Sequence, residues 1–79
     1  MYLLRCADDS LYTGWTNDLD RRLAQHEAGT ASRYTASRRP VELAVALPMP
    51  DAGAARREEA RIKRLERAAK LALVARGAA

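Results

Sequence analysis

Tyr2-Leu3-Leu4-Arg5-Cys6-Ala7-Asp8-Asp9-Ser10-Leu11-Tyr12-Thr13-Gly14-Trp15 is the stretch on which the fold turns. Tyr2 to Cys6 is a short apolar run with one charge and reads as a strand. Asp8, Asp9 and Ser10 are turn residues, and Leu11 to Trp15, with aromatic and β-branched residues, reads as a second strand, so the stretch forms a hairpin. Loop length decides which faces the tyrosines share. A three-residue loop at Asp8–Ser10 sets Tyr2 and Tyr12 on one face with Leu4, Cys6 and Gly14; a two-residue loop at Asp8–Asp9 sets them on opposite faces.

Downstream, Asn17 is a good N-cap, Asp18 and Asp20 suit the positive end of a helix, and Gly29 marks its stop. At ~100° per residue from Leu19, Leu23 lies at about 40°, His26 at about −20° and Arg22 at about −60°, so Arg22 and His26 share the inward stripe while Arg21 points away. Thr30 to Arg39 has no hydrophobic period and reads as a loop. Val41 to Leu47 is almost unbroken apolar and reads as a central strand with apolar contacts on both faces. Pro48, Pro50, Asp51 and Gly53 mark a turn. A helix follows from Asp51 or Ala54 to Leu65, with Ala55, Ile62, Leu65 and Ala69 as its buried stripe and Arg56, Arg57, Arg61, Lys63 and Arg64 outward. Glu58 and Glu59 flank that stripe at about −40° and +60° from Ile62. The helical pattern resumes from Arg67 to Ala75 after a break near Glu66, and Gly77 ends it. The order ββαβαα predicts an α+β fold, a three-stranded, largely antiparallel sheet flanked by helices.

Composition narrows the function classes. The 79 residues amount to one small domain, 1–79, with a modest core: seventeen residues are alanine and only fourteen are Leu, Val or Ile. A bulky organic cofactor does not fit such a core. No run of ~20 apolar residues exists to span a membrane, and the stretch before Arg5 is too short for a secretory signal, so a cytoplasmic protein is expected. Cys6 is the single cysteine, which excludes an internal disulfide and a multi-thiolate zinc site. The formal charge is +4, and twelve of the fourteen basic residues are arginine, whose planar fork suits phosphate. Residues 28–41 carry Arg33, Arg38 and Arg39 and no acid, and residues 54–70 carry seven bases against three acids. Nucleic acid is the partner this bias favours; a merely solvated basic surface is the bland alternative.

Taken singly, the polar residues have structural readings. Arg22 can snorkel, His26 can be a hydrogen-bonded core histidine, Glu58 or Glu59 can pair with Arg22, and the tyrosines can be sheet packing. Together they are more specific. Phosphodiester hydrolysis needs a base for water, a cation for the phosphoryl charge, and a metal or acid for the leaving oxygen. One carboxylate suits Mg²⁺, which keeps most of its waters, and does not suit a two-metal site.

Tyr2-Leu3-Leu4, then Tyr12-Thr13-Gly14, then Asp18-Leu19-Asp20-Arg21-Arg22-Leu23-Ala24-Gln25-His26 resembles the GIY-YIG nuclease domain, above all its small stand-alone bacterial members. Ser32-Arg33-Tyr34-Thr35, Arg38-Arg39-Pro40-Val41-Glu42-Leu43 and Arg57-Glu58-Glu59-Ala60-Arg61-Ile62-Lys63 extend the resemblance over nearly the whole chain. It implies the same ββαβαα fold and cleavage of DNA with one divalent metal, Mg²⁺ or Mn²⁺. On the matching positions, Tyr12 is the candidate general base or nucleophile-orienting group, Tyr2 positions water or phosphate, Arg22 stabilises phosphoryl charge and His26 assists proton transfer. Glu59 is the metal ligand by its place three residues before Ile62-Lys63, although the helical wheel alone slightly prefers Glu58. Gly14 lets the backbone approach the site, and Arg33, Tyr34, Arg38 and Arg39 are the expected substrate contacts. Trp15, where the family has a small aliphatic residue, and Asp9, in place of a turn glycine, depart from the pattern. The glycine expected two residues before Tyr2 would precede Met1, which predicts a clipped first strand or a start further upstream. The alternative function is a nucleic-acid-binding module with a vestigial site; a small domain that contacts an acidic protein ranks last.

Overall fold

The computed structural model describes residues 1–78. Its elements are β1 (Tyr2–Arg5), β2 (Leu11–Gly14), α1 (Leu19–Ala28), α2 (Arg33–Ala36), β3 (Glu42–Ala46), α3 (Ala52–Lys63) and α4 (Arg67–Ala78). The strands form one antiparallel sheet in the order β2-β1-β3, the α+β architecture expected from the sequence. The central strand is β1. Val41–Leu47 was the apolar run that read as central, yet β3 lies at the sheet edge, with Leu43 42% exposed. Alternate positions of that run are alanines, which are apolar by type but bury little area. The shorter Tyr2–Arg5 carries the bulk instead: Leu3 and Leu4 are fully buried and Tyr2 is 1% exposed.

Strict alternation along β1 builds two cores. Leu3 and Met1 face one side with Val45 and Ile62, joined by Trp15, Leu47, Leu65, Leu73 and Val74. Tyr2, Leu4 and Cys6 face the other, with Val41, Tyr12, Leu19 and Leu23. The sheet is therefore covered by α3 and α4 on one face and by α1 on the other.

The hairpin keeps the tyrosines on one face but by a different register. Its three-residue loop is Ala7–Asp9, closed by Cys6 N–H to the Ser10 carbonyl at 2.9 Å and Asp9 N–H to the Cys6 carbonyl at 2.9 Å. Relative to a loop at Asp8–Ser10, every partner moves by two residues, so Tyr2 faces Gly14 and Leu4 faces Tyr12. Asp9 takes the left-handed position at φ 68°, the place of the expected turn glycine.

The helices also differ from expectation in several places, and α3 ends at Lys63 rather than Leu65. The N-cap of α1 is Asp18, which accepts from Arg21 N–H at 3.2 Å. Asn17 is displaced from that role because Asp18 N–H donates to the Thr16 hydroxyl at 3.1 Å, which makes a side-chain turn ahead of the helix. Within the expected loop Thr30–Arg39, Ser32 caps one helical turn, α2, too short to show a period. Gly77 does not stop α4; a Cβ there would collide with Val45, so this glycine lets the helix lie close on β3. Ala69, placed on the buried stripe, is exposed, because the break after Lys63 resets the helical phase before α4 begins.

Leu3→Ala in the central strand should cost about 2–5 kcal/mol in urea unfolding. Leu43→Ala on the edge strand should change stability by less than about 0.5 kcal/mol. Equal losses at the two positions would contradict the strand order.

Candidate active site

The Tyr2 side of the sheet ends in a chain of buried polar groups. Tyr2 Oη lies 2.8 Å from His26 Nε2, and His26 Nδ1 lies 2.8 Å from Thr35 Oγ1. His26 and Thr35 are fully buried. Thr35 Oγ1 in turn donates to the Ser32 carbonyl at 3.3 Å. Local sequence explains each placement. Strand alternation points Tyr2 toward α1, the i, i+4 spacing on α1 puts Arg22 beside His26, and the Ser32 cap winds one turn that carries Thr35 inward.

Rings continue the cluster outward. Tyr12 meets His26 edge-on, centroids 5.3 Å apart, and stacks on Tyr34 at 5.8 Å. The Arg38 guanidinium lies 3.8 Å over the Tyr34 ring and donates to Asp8 at 2.9 Å. Gly14 makes room for all of this: a Cβ there would stand 2.7 Å from Tyr2 Cζ and Oη and 3.2 Å from Tyr12 Cε1.

Arg22 is half-buried. It donates to Gln25 Oε1 at 3.1 Å rather than pairing with a glutamate, and its Nε, shielded from solvent, has no acceptor among the described residues. The electrostatics follow from burial beside this cation. Burial pushes the Tyr2 phenol above its ordinary value; Arg22 works against that shift, while Tyr12 and Glu59 add to it. Burial first, and Arg22 second, hold His26 below its ordinary value, so the imidazole is neutral at pH 7.

The two glutamates, which flank the same buried stripe on a helical wheel, differ in three dimensions. Glu58 is held by Arg61 through both oxygens, at 3.0 and 2.9 Å, which keeps its carboxyl below the usual range. Glu59 is half-buried, meets only Lys63 at 3.4 Å, and its charge is felt at Tyr2. Among the described residues no three His, Cys, Asp or Glu side chains converge. A closed transition-metal site therefore does not fit, whereas a Mg²⁺ ion held by one carboxylate and otherwise by water and phosphate oxygens does.

The remaining expected contacts divide. Tyr34, Arg33 and Arg38 lie on or next to α2, and Tyr34 joins the ring cluster. Arg39 is exposed and donates through Nε and one terminal nitrogen to the carbonyls of Ala36 and Glu27 at 3.1 Å each, so it clamps α2 to the end of α1. Sequence reasoning did not single out Thr35. Its signal was the Ser32-x-x-Thr35 spacing, which turns the threonine inward only if Ser32 starts a helix. A cavity of about 420 Å³ adjoins Tyr2, lined by Trp15, Leu19, Leu47, Met49 and Ala55 among others, and is mainly apolar.

A three-stranded antiparallel sheet between helices, with two tyrosines on adjacent strands facing a helical arginine and histidine, defines a small α+β protein with a buried polar site on one face of its sheet. Residues 1–72 match the family described as the GIY-YIG catalytic domain, and the chain belongs to that family. It is 49% identical to a UPF0213 protein of Xanthomonas axonopodis pv. citri, over 91% of this chain and 71% of that one. It is 47% identical to one of Natronomonas pharaonis over 95% of this chain and 88% of the relative. For one of Oceanobacillus iheyensis the figures are 46%, 94% and 86%. No solved structure matches significantly. No helix among the described residues is long and apolar enough to cross a membrane.

Two predictions follow from the packing. Because the folded pKa of His26 is depressed, the unfolded chain binds this proton more readily, so stability is complete above about pH 6.5 and declines as pH falls below it. Urea midpoints between pH 7.5 and 5 should show the decline in the wild type and lack that part in His26→Gln; parallel profiles would refute it. Gly14→Ala should cost about 1–3 kcal/mol by overpacking against both tyrosines, read from the thermal midpoint.

Proposed function

We propose that this protein is a divalent-metal-dependent endonuclease that hydrolyses DNA phosphodiester bonds. It selects branches, flaps or ends rather than sequence, and serves repair or recombination. The observation that carries the reading is the buried Tyr2–His26 hydrogen bond beside an arginine whose Nε has no acceptor among the described residues.

The base is the Tyr2–His26 pair. This moves the role from Tyr12, which has a ring contact with His26 but no hydrogen bond to it. A water molecule gives its proton to the phenol oxygen of Tyr2 as its electron pair forms the new P–O bond. The phenolic proton passes to the neutral Nε2 of His26, and the imidazolium later releases it to solvent through Tyr2. The old P–O bond breaks, and the leaving oxygen takes a proton from water. Arg22 donates to the phosphoryl oxygens as charge builds on them, the strongest kind of hydrogen bond available here. Glu59 would hold Mg²⁺ or Mn²⁺, which supplies Lewis-acid stabilisation of the phosphate and leaving oxygen when bound. Tyr12 and Tyr34 keep the imidazole and phenol in place, and the exposed arginines of α3 and Arg33 attract the DNA backbone, so binding should weaken with salt.

Labelled flapped, branched and plain duplex DNA with Mg²⁺, Mn²⁺ or EDTA tests this. Wild type should cut in metal alone. Glu59→Ala and Arg22→Ala should lose at least about a hundredfold in rate while circular dichroism is unchanged. Glu58→Ala should cut like wild type. A fully active Glu59→Ala would remove the metal assignment, and salt-sensitive binding without any cut would favour the non-cleaving module.

A further inference from the structure

The direction of the Tyr2–His26 hydrogen bond depends on which imidazole nitrogen carries the proton, and the structure contains the group that decides it. Thr35 has one hydroxyl proton and two neighbours, the Ser32 carbonyl at 3.3 Å and His26 Nδ1 at 2.8 Å. The carbonyl can only accept. When the hydroxyl proton goes to Ser32, Thr35 Oγ1 faces His26 as an acceptor, so Nδ1 must carry hydrogen and Nε2 is left with a lone pair facing the Tyr2 hydroxyl. Every donor in the Thr35–His26–Tyr2 chain then has an acceptor. In the opposite wiring Thr35 donates to Nδ1, its lone pairs confront the Ser32 oxygen, and Tyr2 receives a proton from Nε2 while its own loses that acceptor. Leaving buried donors unpaired is the costlier arrangement.

We propose that Thr35 is a positioning residue that locks His26 in the Nδ1–H tautomer and so makes Tyr2 donate to, and discharge its proton into, Nε2. The rings of Tyr2 and Tyr12, which meet the imidazole edge-on, offer Nδ1 no competing acceptor. After proton transfer both N–H groups of the imidazolium keep partners, Nδ1–H on Thr35 and Nε2–H on Tyr2. The hydroxyl of Thr35 thus orients the base without touching substrate, in the way that a second group commonly fixes a histidine tautomer. The catalytic consequence rests on the nuclease reading above; the tautomer itself does not.

His26 is the only histidine, so its ring nitrogens can be observed without assignment ambiguity. Long-range ¹H–¹⁵N spectra of the labelled full chain at pH 7.5 should show a protonated Nδ1 and an unprotonated Nε2. Thr35→Val keeps the shape and removes the hydroxyl; it should shift the ring to Nε2–H or a mixture. It should also lower kcat by about ten- to a hundredfold, the range for losing a group that orients a functional side chain, with KM within about twofold. Thr35→Ser should restore the tautomer and the rate. An Nε2–H ring in the wild type overturns the proposal, as does a Thr35→Val protein with unchanged tautomer and kcat. Should Thr35→Val fail to fold, the wild-type and Thr35→Ser spectra decide. A wild type that shows Nδ1–H but cuts no DNA supports the tautomer lock and sinks the nuclease reading instead.

Discussion

The Tyr2 phenol reaches the His26 imidazole because the residue opposite it in the sheet, Gly14, has no side chain. Any Cβ at that position would occupy the volume of the Tyr2 ring and press on Tyr12. From this one vacancy the rest of the site follows. The Tyr2 oxygen meets α1 at the level of His26, and the imidazole makes edge-on contacts with two tyrosines from neighbouring strands. The same strand that supplies Tyr2 also supplies Leu3 and Leu4 to the two cores, so the chemistry and the stability of this small protein share one four-residue segment.

A sheet of short strands needs help at its ends, and here ion pairs and side-chain clamps supply it. The hairpin tip is held by Asp8 to Arg38 on one side and by Asp9 to Arg67 of α4 on the other. These pairs are exposed, so each adds little stability by itself. Their geometric effect is larger: they tie the hairpin loop to the segment that follows α2 and to the start of α4. Arg38 thereby orients Tyr34, which lies against Tyr12, so the tip of the hairpin is mechanically continuous with the site.

Much of this was readable from residue order. The hairpin, the helix carrying Arg22 and His26 inward, and the break between the last two helices all follow from turn chemistry and periodicity. The family resemblance rested on motif order and covers the region that the family match confirms. What escaped has physical reasons. The identity of the central strand depends on side-chain volume, and alanine counts as apolar while contributing little, so the longer run looked more buried than the shorter one. Helix α2 makes a single turn, below the length at which any period can appear. Glu58 and Glu59 are separable only once Arg61 is seen to claim the first, a matter of side-chain reach rather than spacing. Thr35 escaped because its role depends on a cap at Ser32 that fixes its direction.

The single turn of α2 has a bearing on how the protein moves. A helix of four residues has few internal hydrogen bonds and opens at far lower free energy than strands buried on both faces. Yet this turn holds the group on which the outer nitrogen of the imidazole rests. In the mechanism proposed above, the proton path would depend on the opening of this one turn rather than on global unfolding. Reinforcing the two cores would raise the melting temperature and leave that breathing almost untouched, whereas the Arg39 clamp on the carbonyls of Ala36 and Glu27 acts on it directly. An arginine that contacts neither ring nor base thus ties the turn that carries Thr35 to the end of α1.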